Sequence, residues 1–209
     1  MMTNYLVRVN IQFTDKDTGE DVKVGSLFKT HDLERAQDII RRNLGSFAGV
    51  EHPKRKGNRI LIHQKYCYII GGIETANLAI AQAFKNRNIV FVFGEANYEQ
   101  AMALGKYHDV IIDDGHQEYE CDVAIFTNYD SAPAILKRIK ARKVYQQIHA
   151  DFENLRKIPV WSNFTWHPDP RIDQVLSVSE TAQNGLRASF QQESVVVPNI
   201  LPKRTSEPF

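Results

Sequence analysis

The sequence has few of the features that would assign it to a membrane or to an oxidising compartment. Its 209 residues include only two cysteines, Cys67 and Cys121, which lie far apart, and no cleavable signal peptide. This usage favours free thiols in a reducing cytoplasm over a disulfide. The apolar runs are a handful of residues long, far below the ~20 that cross a bilayer. We therefore expect a cytoplasmic protein.

An excess of charge of one sign is also lacking, because 26 lysines and arginines face 25 aspartates and glutamates, for a formal net charge of +1. Such a chain has no overall field that would attract nucleic acid, so we expect no nucleic-acid partner. The histidines His63, His108, His116 and His167 show no paired metal-ligand spacing. We therefore expect no metal and no other cofactor.

Residues 1–45 have the pattern of a small β-β-α unit. An alternating apolar and polar stretch at 5–13 is followed by turn residues and a short apolar return, as in a hairpin. Residues 32–44 then have helical spacing, with Thr30 or Asp32 available as N-cap. We expect a unit of this size to bury only a small core.

The turn Phe13–Gly19 and the helical residues Glu34–Ala36 make this unit similar to short modules of bacteriophage proteins. Residues 46–58 are interrupted by glycine and proline and carry three consecutive basic residues. This composition predicts a linker between the small module and the rest of the chain.

From residue 59 onward, strand patterns alternate with helix patterns, which is typical of a parallel sheet with crossover helices. The predicted strands are Arg59–His63, Ile89–Phe93, Val110–Asp113, Val123–Thr127, Lys143–Ile148, Gln174–Val178 and Ser194–Val197, and the predicted helices are Ile73–Arg87, Tyr98–Lys106, Ser131–Arg142 and Glu180–Phe190. The pattern predicts an α/β domain over residues 59–202, with a Rossmann-like parallel sheet and helices on both faces. Residues 203–209 would form a tail.

The predicted helix Ser131–Arg142 is basic and amphipathic. Its basic residues are Lys137, Arg138, Lys140 and Arg142. Such a surface suits peripheral contact with anionic lipid at the inner membrane face, or a polyanionic acceptor such as teichoic acid. A solvated helix face over a sheet is the other interpretation.

Gly71 and Gly72 stand between a predicted strand and a predicted helix. Glycines at such a turn let the backbone approach a ligand, and the helix that follows presents free N–H groups to an anion such as phosphate. A purely structural turn is the alternative. A dinucleotide-binding fingerprint is not formed, because the loop before Gly71 is too long for the Gly-x-Gly-x-x-Gly spacing.

Ligands of open α/β sheets bind beyond the carboxyl ends of the strands, where this chain has several polar residues. His149 ends the predicted fifth strand, and a neutral imidazole there can bond to a sugar hydroxyl or a phosphate. The alternative is a histidine bonded to the backbone. Asp151 either orients His149 or caps the next turn. The loop Trp161–Pro170 either stacks its tryptophans on a sugar ring or packs onto the sheet.

Five segments together resemble the N-terminal, acceptor-side half of the retaining family 4 glycosyltransferases of GT-B architecture. They are Gly71–Ala79, Asp122–Phe126, Tyr145–Phe152, Val175–Glu180 and Val195–Asn199. The resemblance implies transfer of a sugar from a nucleotide-diphosphate sugar to a glycan, lipid or cell-wall polymer acceptor, as in the synthesis of cell-surface polysaccharide.

The resemblance also implies roles for individual residues. Gly71 and Gly72 would lie against the diphosphate, Glu74 near the acceptor, and His149 at the donor sugar as the catalytic candidate. The remaining candidates for substrate or donor binding are Asn128, Asp151, Ser179 and Glu180.

Members of this family continue into a second, donor-binding domain that carries two glutamates in a Glu-x7-Glu spacing. That domain is not contained in residues 1–209, so we expect these residues alone to be inactive. Two alternatives remain open. One is a non-catalytic module, of phage origin, that binds a glycan or a partner. The other is a relative of the nucleotide-sugar epimerases.

Overall fold

The computed structural model describes residues 2–68, 71–129 and 135–200. The strands are β1 (Asn4–Val9), β2 (Phe13–Thr14), β3 (Asp21–Val22), β4 (Leu27–Thr30), β5 (Gly45–Glu51), β6 (Arg59–Cys67), β7 (Asn88–Ala96), β8 (Asp109–Ile112), β9 (Tyr119–Thr127), β10 (Ile139–Ile148), β11 (Gln174–Ser177) and β12 (Val195–Val196). The α-helices are α1 (Leu33–Arg41), α2 (Gly72–Ala83), α3 (Tyr98–Gly105), α4 (Phe152–Leu155) and α5 (Glu180–Phe190).

Ten of these strands form one mixed sheet in the order β12-β11-β10-β9-β6-β7-β8-β5-β1-β4, and β2 pairs with β3 in a separate hairpin. The strands from β12 to β8 are all parallel, whereas β5, β1 and β4 are joined to them and to one another by antiparallel pairing. After β6, the chain adds β7 and then β8 on one side of it. It then returns to the other side of β6 with β9, so the strand order reverses between β6 and β9.

The central strand β6 is buried on both faces, as expected for a parallel strand covered on each side. Leu61 belongs to one core cluster with residues of β7, β9 and β10, and Ile62 belongs to another. The second cluster includes Ala81 of α2 and Leu104 of α3, so these two helices cover that face. Successive side chains of a strand point to opposite faces, so Leu61 and Ile62 join β6 to the core cluster on each side of the sheet.

The crossover from β8 to β9 consists of six residues, 113–118, and no helix lies in it. Asp113 holds its start, because it accepts hydrogen bonds from Arg138 (Nη1, 2.8 Å) and from the hydroxyl of Tyr119 (2.9 Å). Arg138 also donates to the carbonyl of Gln117 at 2.6 Å. Burial raises the pKa of Asp113, but the hydrogen bonds from Arg138 and Tyr119 outweigh it and hold the pKa below its usual value. This ion pair ties both ends of the crossover to the segment that precedes β10.

Most predicted elements of residues 59–200 are found, and two helix caps agree with the sequence. Asp32 accepts hydrogen bonds from the backbone N–H groups of Glu34 and Arg35 at the start of α1. Ser179 accepts one from Ala182 at the start of α5. The ten-stranded sheet and the helices around it confirm the α/β class. The expected half of a GT-B architecture stays a prediction.

The predicted helix Ser131–Arg142 is wrong over its last four residues, whereas Ile135 is helical as predicted. Residues 131–134 lie outside the described residues, a short 3₁₀ turn covers Leu136–Arg138, and residues 139–142 belong to β10. The reason is that Ile139 and Ala141 alternate with basic residues and pack on the cluster around Leu61 while pairing with β9.

Three of the basic residues of this region, Arg138, Lys140 and Arg142, are bound in ion pairs rather than displayed on one helix face. Lys140 pairs with Glu118 at 2.9 Å, and Arg142 lies 3.5 Å from Asp122. Lipid contact through a basic helix is therefore not supported over residues 139–142. Within residues 2–68, 71–129 and 135–200, no helix combines the length and the apolarity needed to cross a bilayer.

The expected linker 46–58 contains a strand over most of its first half. Residues 46–51 lie in β5, which pairs with β1 on one side and with β8 on the other. The small N-terminal unit therefore continues the large sheet. The division of the chain into a module, a linker and a larger domain stays a prediction.

We predict that Gly49→Ala strongly destabilises the protein. Gly49 has a φ of +148°, and a Cβ there would clash with the carbonyl oxygen of Val110, where β5 meets β8. Gly57, with a φ of +97° and no atom of the described residues within 4 Å of such a Cβ, provides the matched control. We expect Gly49→Ala to lower the free energy of unfolding by at least about 2 kcal/mol more than Gly57→Ala in urea titrations. Equal losses would contradict the tight β5–β8 junction.

Candidate functional site

The strand-order reversal places the carboxyl ends of β6, β9 and β10 beside one another at one edge of the sheet. This is the position at which open α/β sheets bind ligands. We call it the carboxyl edge. Residues at or just beyond the ends of these three strands therefore form the candidate site.

Three side chains form a row across the sheet close to this edge. Phe126 of β9 is the Cα partner of His63 in β6 and of Gln146 in β10, so all three point to the same face. His63 is 3% exposed and Gln146 is 1% exposed. The rings of His63 and Phe126 are 5.6 Å apart, centroid to centroid. We call this set the buried row.

The two polar members of the buried row each have an atom without a hydrogen-bond partner. These atoms are Nδ1 of His63 and Oε1 of Gln146. The amide of Gln146 is oriented by its own network, because Nε2 donates to the carbonyl of Asn128 at 3.1 Å. Its free oxygen is therefore an acceptor that faces no donor.

Asn128 follows β9 directly and has the left-handed φ of +69°. Its backbone N–H donates to the carbonyl of Gln147 at 2.7 Å, which fixes it beside β10. Its side-chain Oδ1 is buried and has no partner. Asparagine is one of the residues that adopt this conformation at low cost, so the turn explains its backbone but not its unpaired side chain.

His149 follows the end of β10, and its Nε2 is likewise buried without a partner. Burial lowers the pKa of His149 to about 4, so the imidazole is neutral at pH 7. The alternative interpretation, a histidine bonded to the backbone, is therefore not supported at Nε2.

Four unpaired polar atoms thus lie near the carboxyl edge, on His63, Gln146, Asn128 and His149, out of five in the described part of the chain. Buried polar atoms are nearly always paired, so a concentration of exceptions requires an explanation, such as a ligand or ordered water. The sequence prediction included Asn128 and His149 but missed the other two. The available signal was a polar residue within an apolar strand pattern.

Gly71 is the N-cap of α2, and both it and Gly72 lie outside the positive-φ region. Glu74 accepts a hydrogen bond from Gly71 N at 3.1 Å and one from Gln64 Nε2 at 2.5 Å. Gln64 in turn accepts from Asn77 at 2.9 Å. Glu74 therefore joins the start of α2 to β6. A Cβ on Gly72 would meet no atom of the described residues within 4 Å, so nothing in that part of the chain fills the space in front of it.

Asp151 and Ser179 are both helix caps. Asp151 accepts from the backbone N–H of Asn154 at 3.2 Å and from its side-chain amide at 2.5 Å. This geometry agrees with the capping alternative for Asp151 rather than with orientation of His149. Glu180, in the first turn of α5, is exposed.

The tryptophans of the loop before β11 pack against other aromatic rings. Trp166 is 8% exposed and donates from Nε1 to the carbonyl of Tyr129 at 3.1 Å. Trp161 lies edge-on to Tyr129 and Phe164. The packed interpretation of this loop is therefore the one that the structure supports.

Both cysteines are free and buried, which confirms the predicted thiol state. Burial raises the pKa of Cys67 to about 12 and that of Cys121 to about 11. Protonated thiols of this kind are poor nucleophiles. Neither cysteine is therefore a candidate for covalent catalysis.

An apolar groove of about 740 Å³ lies on the α2 face of the sheet, with Ile62, Phe84, Ile125, Leu176 and Val197 among the residues that line it. None of the predicted site residues lines this groove. The pocket and the candidate site are therefore different places on the molecule. In the part of the chain that is described, no three His, Cys, Asp or Glu side chains are grouped as metal ligands would be.

Comparison of the chain with protein-family models, with curated proteins and with solved structures found no match.

We predict that His63 makes the protein acid-sensitive. Burial, the largest cause, lowers the pKa of His63 to about 4, below the ~6.5 expected when unfolded. The unfolded state therefore binds the proton more tightly than the folded state. The contribution of neutral His63 to the free energy of unfolding is fully present above pH 6.5 and is lost between about pH 6.5 and 4. Between pH 7 and 4, the free energy of unfolding of His63→Phe should fall by about 3 kcal/mol less than that of the wild type, as measured by urea titrations. Equal falls in the two proteins would refute this prediction.

Proposed function

We propose that this chain is the acceptor-side half of a retaining glycosyltransferase of GT-B architecture. The complete enzyme would move a sugar from a nucleotide-diphosphate sugar to a glycan, lipid or cell-wall polymer. The observation that carries the proposal is the set of unpaired buried polar atoms on His63, Asn128, Gln146 and His149. They lie where the strand order reverses, which is the usual binding position of such sheets.

The chemistry of these atoms favours a hydroxylated ligand. The free oxygens of Asn128 and Gln146 are acceptors and require a donor from the ligand. His149, neutral at pH 7, offers a hydrogen bond without a charge. Sugar hydroxyl groups supply both donors and acceptors, and an unpaired acceptor in a buried site discriminates strongly against ligands that cannot pair with it.

The start of α2 would hold the diphosphate in this proposal. The open space in front of Gly72 and the free N–H groups of the first helical turn suit an anion. Departing negative charge on the diphosphate is what needs stabilisation in the transfer. Glu74 would act through its hydrogen bond to Gly71, by holding the cap in place.

The second candidate is a non-catalytic module that binds a glycan or a partner. One observation favours it over an enzyme. The carboxylates of Glu74 and Asp151 and the hydroxyl of Ser179 all accept hydrogen bonds that build helix caps. Side chains engaged in this way are less available for proton transfer, so the carboxyl edge would bind a ligand without transforming it.

We predict that nucleotide sugars bind more tightly than the matching nucleoside diphosphates, because only the sugar reaches His149 and the buried row. Titration calorimetry compares the affinities for UDP-glucose, UDP-N-acetylglucosamine and GDP-mannose with the affinity for the matching UDP or GDP. The ratio of the two affinities is the gain from the sugar. His149→Phe should reduce the gain about three- to tenfold for the sugar that shows it. His31→Asn, an exposed histidine in the N-terminal unit, is the control. A panel without any gain from the sugar would refute the proposal.

We also predict that residues 1–209 alone transfer no sugar at a measurable rate. Closing a cleft between two domains supplies proximity and excludes water, and one half of the cleft lacks both contributions. Release of UDP from UDP-glucose in the presence of acceptor glycans is the assay. Robust turnover would show that this half suffices for catalysis.

A further inference from the structure

The end of β6 carries an exposed aromatic pair that the proposed function does not use. Tyr66 is 44% exposed and Tyr68 is 48% exposed. Their rings are stacked, with centroids 5.8 Å apart and planes 19° from parallel. Two large rings kept together at the surface form a flat apolar area, which is typical of a contact site rather than of a core.

The pair lies beside the candidate site. β6 and β7 continue beyond the last β6–β9 pair, His63 with Phe126, as a two-stranded extension in which Tyr66 is opposite Glu95. This extension places the tyrosine pair at the carboxyl edge, and Gly71 follows three residues after Tyr68. The pair therefore borders the position at which these sheets bind ligands.

A cation accompanies the pair. Nζ of Lys65 lies 4.8 Å from the centroid of the Tyr66 ring. Within the described part of the chain, this ring contact is the interaction found for the ammonium, and no carboxylate lies within ion-pair distance of it. Lys65 is only partly buried, so its charge is available to an anion from solvent.

We propose that Tyr66, Tyr68 and Lys65 bind a nucleoside phosphate, with the base stacked on the tyrosine pair and a phosphate paired with Lys65. A planar ring joined to an anion matches a flat aromatic surface next to a cation, and stacking on aromatic side chains tolerates any base. The proposal rests on the proposed function, which requires a nucleotide sugar, and it gives this half a share in holding the nucleotide, beside the second, donor-binding domain that the family resemblance implies.

Glu95 allows a second test, in which the nucleotide affinity should change in the opposite direction. It is exposed and is the Cα partner of Tyr66, so its charge repels a phosphate held by Lys65. Lys65→Gln should therefore weaken binding of a nucleotide, whereas Glu95→Gln should strengthen it. Both effects should shrink as salt concentration rises, because exposed charges are screened.

Titration calorimetry with UDP and ADP, compared with uridine, inorganic phosphate and methyl glucoside, tests the site. We expect UDP and ADP to bind and Tyr66→Ala or Tyr68→Ala to weaken them by about 5- to 150-fold. Tyr68→Phe keeps the ring and should stay within about twofold. Phe84→Ala, which removes an exposed ring beyond the other end of α2, is the control and should change nothing. Circular dichroism confirms that each variant is folded.

The proposal is overturned if wild type binds neither UDP nor ADP at millimolar concentration, or if the tyrosine variants bind them unchanged. Binding of methyl glucoside or inorganic phosphate as tightly as UDP overturns it as well. The two proposals fail separately. Tyrosine-dependent binding of UDP with no gain from an attached sugar retains this site and refutes the glycosyltransferase proposal. If both tyrosine variants bind the nucleotide unchanged and still bind the nucleotide sugar more tightly, the glycosyltransferase proposal is retained and this site is refuted.

Discussion

The parallel pairing of β6 with β7 on one side and β9 on the other is the constraint on which the rest of the structure depends. It buries β6 on both faces, so Leu61 and Ile62 each anchor a separate core cluster. It also creates the reversal of strand order that brings the ends of β6, β9 and β10 together. Without that reversal, His63 and Gln146 would not share a row.

The carboxyl edge combines rigid support with unmet hydrogen-bonding capacity. Caps and ion pairs use several of the carboxylates, as at Asp113 with Arg138 and at Glu74 with Gly71. Nδ1 of His63 and Oε1 of Gln146, by contrast, are left without partners at positions where an apolar side chain would serve stability better. Proteins accept such costs mainly where a ligand supplies the missing partner, which is why we interpret this edge as a binding site.

Much of the fold could be predicted, because strands such as β6 and β7 and helices such as α5 follow from local apolar patterns and caps. The helix prediction fails over residues 139–142, and this failure has a physical cause. Alternating Ile139 and Ala141 fit a strand, and pairing with β9 outweighed the helical spacing of the basic residues. Asn128 and His149 were found because they follow predicted strands. The buried row was missed because the facing of His63 and Gln146 depends on register between strands far apart in sequence.

The sequence by itself determined the alternation of strands and helices, the cap at Ser179, the choice of Thr30 or Asp32 as the cap of α1, and the free state of the two thiols. These features depend on neighbours within a few residues or on composition. Only the tertiary structure decided that residues 46–51 join the large sheet, that the tryptophan loop packs inward, and that unpaired polar atoms gather at one edge. Those outcomes depend on strand order and burial, which arise from contacts between residues distant in the chain.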